Sequence, residues 1–182
     1  VSELAPDVVL LAVGSEPVIP PIPGLAPERF LLAEQVLQQG PTPGQDVLII
    51  GGGLVGCETA LFLARNGSHP LVAEMREDLC MDIEPRSRAV MLLHLKEYGF
   101  RTLTSCRVDR IGEGEAVLCR TGHAEEHLPC SRIVLATGYR PRTALAEALR
   151  GMAVPVHSIG DCHGGTRICD AVWQTTATVE TI

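Results

Sequence analysis

The chain has 182 residues, 46% of them hydrophobic, which is enough for one ordinary core or two small lobes and too few for a large multidomain enzyme. Fifteen Lys and Arg against 22 Asp and Glu leave a formal charge of -7, so there is no basic stripe to hold nucleic acid or an anionic membrane surface. A charged fraction of 20% with long Val/Ile/Leu runs describes a folded domain rather than a disordered one.

The first predicted element is an apolar strand over residues 8–13. The start at Val1, without Met, a few residues before that strand reads as a piece cut from a longer polypeptide. Residues 16–27 hold five prolines and are expected to be an extended connector. Strands follow over residues 47–50 and 71–73, and between them residues 54–66 carry apolar side chains at helical spacing, ended by Asn66-Gly67. A second helix is predicted over residues 85–98, stopped by Gly99. Residues 100–130 shorten and alternate around Gly112, Gly114 and Gly122, the pattern of an antiparallel meander. A parallel strand over 133–136 comes next, a second connector starts at Pro141, and a last strand over 154–159 is expected beside the first.

The runs before the two connectors repeat. Residues 9–17 (Val-Leu-Leu-Ala-Val-Gly-Ser-Glu-Pro) align with residues 133–141 (Ile-Val-Leu-Ala-Thr-Gly-Tyr-Arg-Pro). A strand-Gly-x-x-Pro device used twice implies two related nucleotide-binding lobes. The fold class read from this order is α/β: a Rossmann-like three-layer dinucleotide-binding domain with an antiparallel meander insertion, plus remnants of a second lobe.

The sharpest motif is Gly51-Gly52-Gly53-Leu54-Val55-Gly56, a G-x-G-x-x-G that follows a predicted strand and opens a predicted helix. Gly51 permits the tight turn, Gly53 lets backbone approach a pyrophosphate, and Gly56 lets the helix pack close to the strand. The alternative is a glycine-rich turn that only joins strand to helix. Against it stands Glu74, the acidic residue expected about 20 positions on, where a carboxylate accepts the adenosine ribose hydroxyls and repels a 2'-phosphate. NAD(H) is therefore expected ahead of NADP(H). Arg76 argues the other way if its guanidinium meets that phosphate, and is otherwise a solvated surface arginine.

Seven scattered cysteines form no C-x-x-C and no C-x-x-x-x-C, which reads as reduced thiols in a cytoplasmic protein and disfavours a redox-active disulfide. No apolar run reaches the roughly 20 residues that span a bilayer. His123-Ala-Glu-Glu-His127 matches the H-x-x-E-H of one zinc peptidase class, but Gly122 and Pro129 make it a hairpin with no third ligand, and no metal site is assigned. Cys162 and His163 read as loop residues.

The strings at 49–60 (Ile-Ile-Gly-Gly-Gly-Leu-Val-Gly-Cys-Glu-Thr-Ala), 84–88 (Glu-Pro-Arg-Ser-Arg), 136–138 (Ala-Thr-Gly) and 159–162 (Ile-Gly-Asp-Cys) resemble the C-terminal part of the NADH:flavin oxidoreductases related to old yellow enzyme, the group of enoate reductase and 2,4-dienoyl-CoA reductase. The resemblance covers nearly the whole chain. It implies an NAD(H)-binding domain over residues 41–149, inserted into an FAD lobe whose remnants and linker are residues 1–40 and 150–182. It further implies that Gly160 and Asp161 meet the ribityl chain of FAD, that Glu58 lies near the nicotinamide, and that Gly138 belongs to the cofactor-binding set. Asp161 as a helix N-cap and Glu58 as a first-turn residue favoured by the helix dipole remain open alternatives.

By the same resemblance, the FAD pyrophosphate turn, the FMN-binding barrel and an iron-sulfur cysteine cluster belong upstream of Val1. The parent then passes hydride from NADH to FAD and reduces activated C=C bonds. The expected partners are the dinucleotide and the upstream flavin barrel, with neither nucleic acid nor membrane, and the uncovered terminal strands are expected either to self-associate or to be poorly ordered. The competing functions are a non-catalytic ADP-binding module and part of a ferredoxin or rubredoxin reductase-like flavoprotein.

Overall fold

The computed structural model describes residues 2–40, 43–120, 122–165 and 167–182. In chain order the elements are β1 (Val9–Leu11), β2 (Ser15–Pro17), β3 (Phe30–Leu32), α1 (Ala33–Gln39), β4 (Asp46–Ile50) and α2 (Leu54–Arg65). They continue as β5 (His69–Ala73), α3 (Pro85–Tyr98), β6 (Arg101–Leu103), β7 (Cys106–Ile111), β8 (Glu115–Arg120) and β9 (Glu126–Pro129). The chain ends with β10 (Arg132–Leu135), β11 (Tyr139–Pro141), α4 (Ala144–Ala148), β12 (Val156–Ser158) and α5 (Ile168–Val179). Two compact units result: Ile19–Gly138, and Val1–Val18 together with Tyr139–Ile182.

The larger unit is built on a parallel sheet in the order β3-β10-β4-β5-β6. Its central strands are apolar at nearly every position because both faces are covered. Val47 and Ile49 face one core cluster with Cys57, Ala60, Leu61, Leu63 and Leu95 from α2 and α3. Leu48 and Ile50 face a second cluster with Val108, Ile111, Ala116, Leu118 and Leu128 from the antiparallel sheet β7-β8-β9. Alternation along one five-residue strand thus splits the unit into helices, parallel sheet and meander. Ile49 and Val134 are fully buried, and each such side chain contributes roughly 1.5–3 kcal/mol of transfer free energy.

Helix ends follow local chemistry. Glu84 caps α3 by accepting from Ser87 N and Arg86 N, Pro85 occupies the first turn, and Gly99 ends the helix at φ 63.

Two strands of the parallel sheet lay outside the sequence reading. β6 comes from the stretch assigned to the meander, yet it pairs parallel with β5 through Leu71↔Arg101 to Ala73↔Leu103. β3 pairs parallel with β10, although residues 19–40 had been placed in the flanking remnant. Both strands are three residues long, too short for periodicity to show, and only their neighbours make them strands. The proline-rich segment also packs with this unit: Ile111 N donates to Pro23 O at 2.8 Å, and Ile22 and Leu25 pack on the meander-side cluster. Contacts therefore divide the chain after residues 18 and 138, whereas the resemblance implied borders near 40 and 150.

In the smaller unit β1 and β12 pair parallel, Val9↔Val156 through Leu11↔Ser158, as the terminal apolar runs predicted. The two copies of the Gly-x-x-Pro device pair with each other: β2 and β11 run antiparallel, with Arg140 opposite Glu16 and ion-paired to it at 2.7 Å. Helices α4 and α5 carried no signal that the sequence reading used. Ile168, Val172 and Trp173 of α5 are exposed. Among the described residues no helix is long and apolar enough to cross a membrane.

Candidate dinucleotide site

Strands β4 and β10 are neighbours, but the connections leaving their C-terminal ends diverge, one into α2 and the other toward β11. That divergence is a topological switch point, where open α/β sheets bind ligands. The predicted glycine turn sits there. Gly51 leaves β4 at φ 107, and its N–H donates to Ala73 O at 2.9 Å. A Cβ on Gly51 would lie 2.3 Å from Ala136 O, and one on Gly56 would lie 1.9 Å from Gly51 O. Both glycines are therefore demanded by backbone on the opposite side.

Gly53 is different. Its φ of -70 suits any residue, and the space above it faces the side chain of Asp82, 2.9 Å from an added Cβ. Gly53 is the N-cap of α2, so the first-turn amides of Leu54, Val55 and Gly56 point toward that space without intrahelical acceptors. Gly138, at φ 87 with open surroundings, follows Ala136, whose N–H donates to Ile50 O. It thus sits at the same end of the sheet as the turn.

Glu74 directly follows β5. Its Oε2 accepts from Gly52 N at 2.6 Å and its Oε1 from Arg76 N at 2.7 Å. Each carboxylate oxygen keeps a second lone pair for a further donor. The side chain of Arg76 is exposed, as is Glu58. Glu58 is the fifth residue of α2 and no acidic residue occupies the first turn, so the first-turn dipole role considered for it does not apply; that interaction fades beyond the opening turn.

Gly160 and Asp161 belong to the smaller unit, in a 3-10 turn after β12, with Gly160 at φ 69. Asp161 does not cap α5, whose N-cap is Arg167, and the 3-10 turn is capped by Ile159. The Asp161 carboxylate is exposed and accepts from Ser15 Oγ at 3.4 Å, which leaves acceptor sites free for a polar ligand.

Residues 74–84 form the wall of the turn, and sequence reasoning missed most of its parts. Cys80, in the left-handed region at φ 52, donates its N–H to Gly52 O at 2.8 Å. Arg88 donates from Nε to Leu79 O and is ion-paired to Asp78, which holds the Asp78 carboxyl below its usual range. The 84–88 string is thus a helix cap and loop tether. Asp82 accepts from Leu54 N through both oxygens, at 3.1 and 3.0 Å. No local spacing announces Asp82, because it reaches α2 across 28 residues.

All seven cysteines are free. Cys57 and Cys80 are buried under the turn, and Cys57 Sγ donates to Gly52 O at 3.4 Å; interaction with the Cys80 thiol, followed by burial, pushes the Cys57 thiol up. Cys169 is exposed. Thiol alkylation of the folded protein, followed by peptide mass analysis, is expected to label Cys169 first and to spare Cys57 and Cys80 until denaturant is added. Early labelling of Cys57 would contradict this packing.

The H-x-x-E-H string lies on the turn and strand of the β8–β9 hairpin, with Glu126 on Arg101, Glu125 on Arg110 and His127 on Glu115. Among the described residues no group of three or more His, Cys, Asp or Glu is placed to hold a metal ion.

A parallel sheet with a glycine fingerprint at its switch point and a meander on one face defines a dinucleotide-binding domain. Residues 1–172 match the family model described as pyridine nucleotide-disulphide oxidoreductase, and the chain belongs to that family, whose cofactors are FAD and NAD(P)H. The family is broader than the old yellow enzyme-related group that the strings resemble. The chain is 36% identical over 158 residues to the bilirubin reductase of Mediterraneibacter gnavus, covering 87% of this chain and 24% of that protein. It is 35% identical over 178 residues to the NADH oxidase of Thermoanaerobacter brockii, covering 94% of this chain and 27% of that protein. Among solved structures, 2-naphthoyl-CoA reductase in complex with 2-naphthoyl-CoA superposes with a TM-score of 0.82 at 25% identity, over 92% of this chain and 26% of that one. The chain thus spans about a quarter of the length of these relatives.

Proposed function

We propose that the larger unit seats NADH on the 51–56 turn and that the parent enzyme uses its hydride, through FAD, to reduce an activated C=C bond. The observation that carries the reading is the glycine turn at the N-terminus of α2, where Gly53 adds no side chain beside the first-turn amides and Glu74 is bonded to Gly52 N. The Leu54 and Val55 amides would hold the pyrophosphate, Glu74 the ribose diol, and Gly138 would leave room at the mouth of the crevice. Glu58 and the Gly160–Asp161 turn would lie toward the nicotinamide and the ribityl chain, respectively. The nicotinamide supplies a hydride and the flavin accepts it; the protein supplies orientation.

The larger unit, rather than the span 41–149, would be the NAD(H)-binding part and the flanking segments part of an FAD lobe. The C=C assignment draws on the strings that resemble the old yellow enzyme-related group and on a structural relative that is a 2-naphthoyl-CoA reductase. In the parent, an upstream flavin barrel with FMN and an iron-sulfur cluster would complete electron transfer. The free thiols support a cytoplasmic setting, and the exposed Ile168, Val172 and Trp173 support burial against another part of the parent or a second copy.

Calorimetry with NADH and NADPH tests the reading. The unmodified chain is expected to prefer NADH, and Glu74→Ala to weaken NADH about tenfold, a change of ~1.4 kcal/mol, while narrowing the gap to NADPH. A preference for NADPH in the unmodified chain would hand the choice to Arg76.

A further inference from the structure

We infer that Asp82 is an internal anion that occupies the pyrophosphate seat and must leave it each time a dinucleotide binds. The inference rests on the reading of the 51–56 turn as that seat. Two observations place the carboxylate there. Both of its oxygens accept from Leu54 N, at 3.1 and 3.0 Å, so it takes the first-turn amide that a phosphate would use. It also fills the volume that Gly53 clears, since an added Cβ would meet Oδ2 at 2.9 Å, Cγ at 3.3 Å and Oδ1 at 3.4 Å. A carboxylate at a helix N-terminus is stabilised by the same partial positive charge that attracts phosphate, and the two anions exclude each other.

The loop is built to release this one side chain while keeping its ends in place. On one side, Leu79 and Cys80 are buried, Cys80 N is bonded to Gly52 O and Leu79 O to Arg88. On the other, Glu84 is held by the Ser87 and Arg86 amides. Between these anchors Met81 and Asp82 are exposed, so the carboxylate can swing into water without moving the backbone on either side. Once a diphosphate is seated, charge repulsion keeps Asp82 out; when the ligand departs, Asp82 caps the helix again. The residue thereby lowers affinity and speeds release, which suits a hydride donor that must leave in oxidised form at every turnover.

The test uses ADP as the probe, without divalent cations that would bridge a carboxylate and a diphosphate. Calorimetry and stopped-flow dissociation compare the full chain with Asp82→Ala, which removes charge and acceptor, and Asp82→Asn, which keeps an acceptor; circular dichroism verifies folding. Asp82→Ala is expected to bind ADP about fivefold more tightly, the gain lying in slower dissociation, with a smaller gain for Asp82→Asn. Adenosine, which has no phosphate, is expected to bind all three alike. If Asp82→Ala does not fold, a gain in Asp82→Asn supports the inference, and its absence overturns it. ADP binding that is equal or weaker in the variants removes Asp82 from this role and leaves the dinucleotide reading standing. Absence of ADP binding in all three proteins overturns that reading and the inference together.

Discussion

Gly56→Ala is expected to destabilise the chain by about 3 kcal/mol, a large share of the roughly 5–15 kcal/mol that holds a domain folded. The added Cβ would lie 1.9 Å from Gly51 O and 3.0 Å from Gly51 C. Neither atom is the end of a flexible side chain, so α2 must lift from the turn or the turn must leave β4. Lifting α2 also opens the contacts of Cys57, Ala60, Leu61 and Leu63 in the helix-side core, which is why the cost exceeds that of one methyl group. Urea unfolding is the measurement: the midpoint should fall sharply with little change in slope. Gly99→Ala serves as the comparison. It sits at φ 63 with open space around it, so only the left-handed backbone resists, at a cost of about 1–2 kcal/mol. Equal midpoints for Gly56→Ala and the unmodified chain would mean that the strand-turn-helix contact is looser than this geometry.

Gly53→Val should separate binding from folding. The backbone at Gly53, φ -70 and ψ -173, is extended and open to a β-branched residue. The three atoms nearest its added Cβ all belong to the Asp82 carboxylate, which can turn into solvent with the loss of one helix cap, about 1 kcal/mol. The valine would then stand where a pyrophosphate approaches the α2 amides. NADH affinity is expected to fall at least ~100-fold, equivalent to ~2.7 kcal/mol, while the unfolding midpoint moves little. Unchanged NADH affinity in a folded Gly53→Val protein would remove the turn from the cofactor site. A loss of folding as severe as that of Gly56→Ala would show that the space above Gly53 is structural rather than reserved.

The contrast between these two glycines shows how far one dimension reaches. The G-x-G-x-x-G pattern between an apolar run and a helical run identified the turn and both flanking elements, because strand, glycine turn and helix start are consecutive in the chain and need local chemistry alone. Helix α3 was equally legible, since Pro85 and Gly99 mark its ends through local backbone preference. The meander was visible for the same reason: alternation and turn residues are short-range signals.

Tertiary structure alone decided the rest. β3 and β6 are strands because a parallel neighbour supplies their hydrogen bonds, and that neighbour is remote in sequence. The repeated Gly-x-x-Pro segments advertised duplication, but their antiparallel pairing depends on where the folded chain brings residues 15 and 141. Gly51 and Gly56 look alike in the motif and are required by different backbone atoms, Ala136 O and Gly51 O. Asp82 has no signature at all: it is one acid in an acidic loop until the 74–84 segment folds over the turn and sets its carboxylate on Leu54 N. Propensity and spacing are properties of neighbours along the chain, whereas a filled or empty space at a helix N-terminus is a property of volume, and volume is shared by residues that only folding brings together.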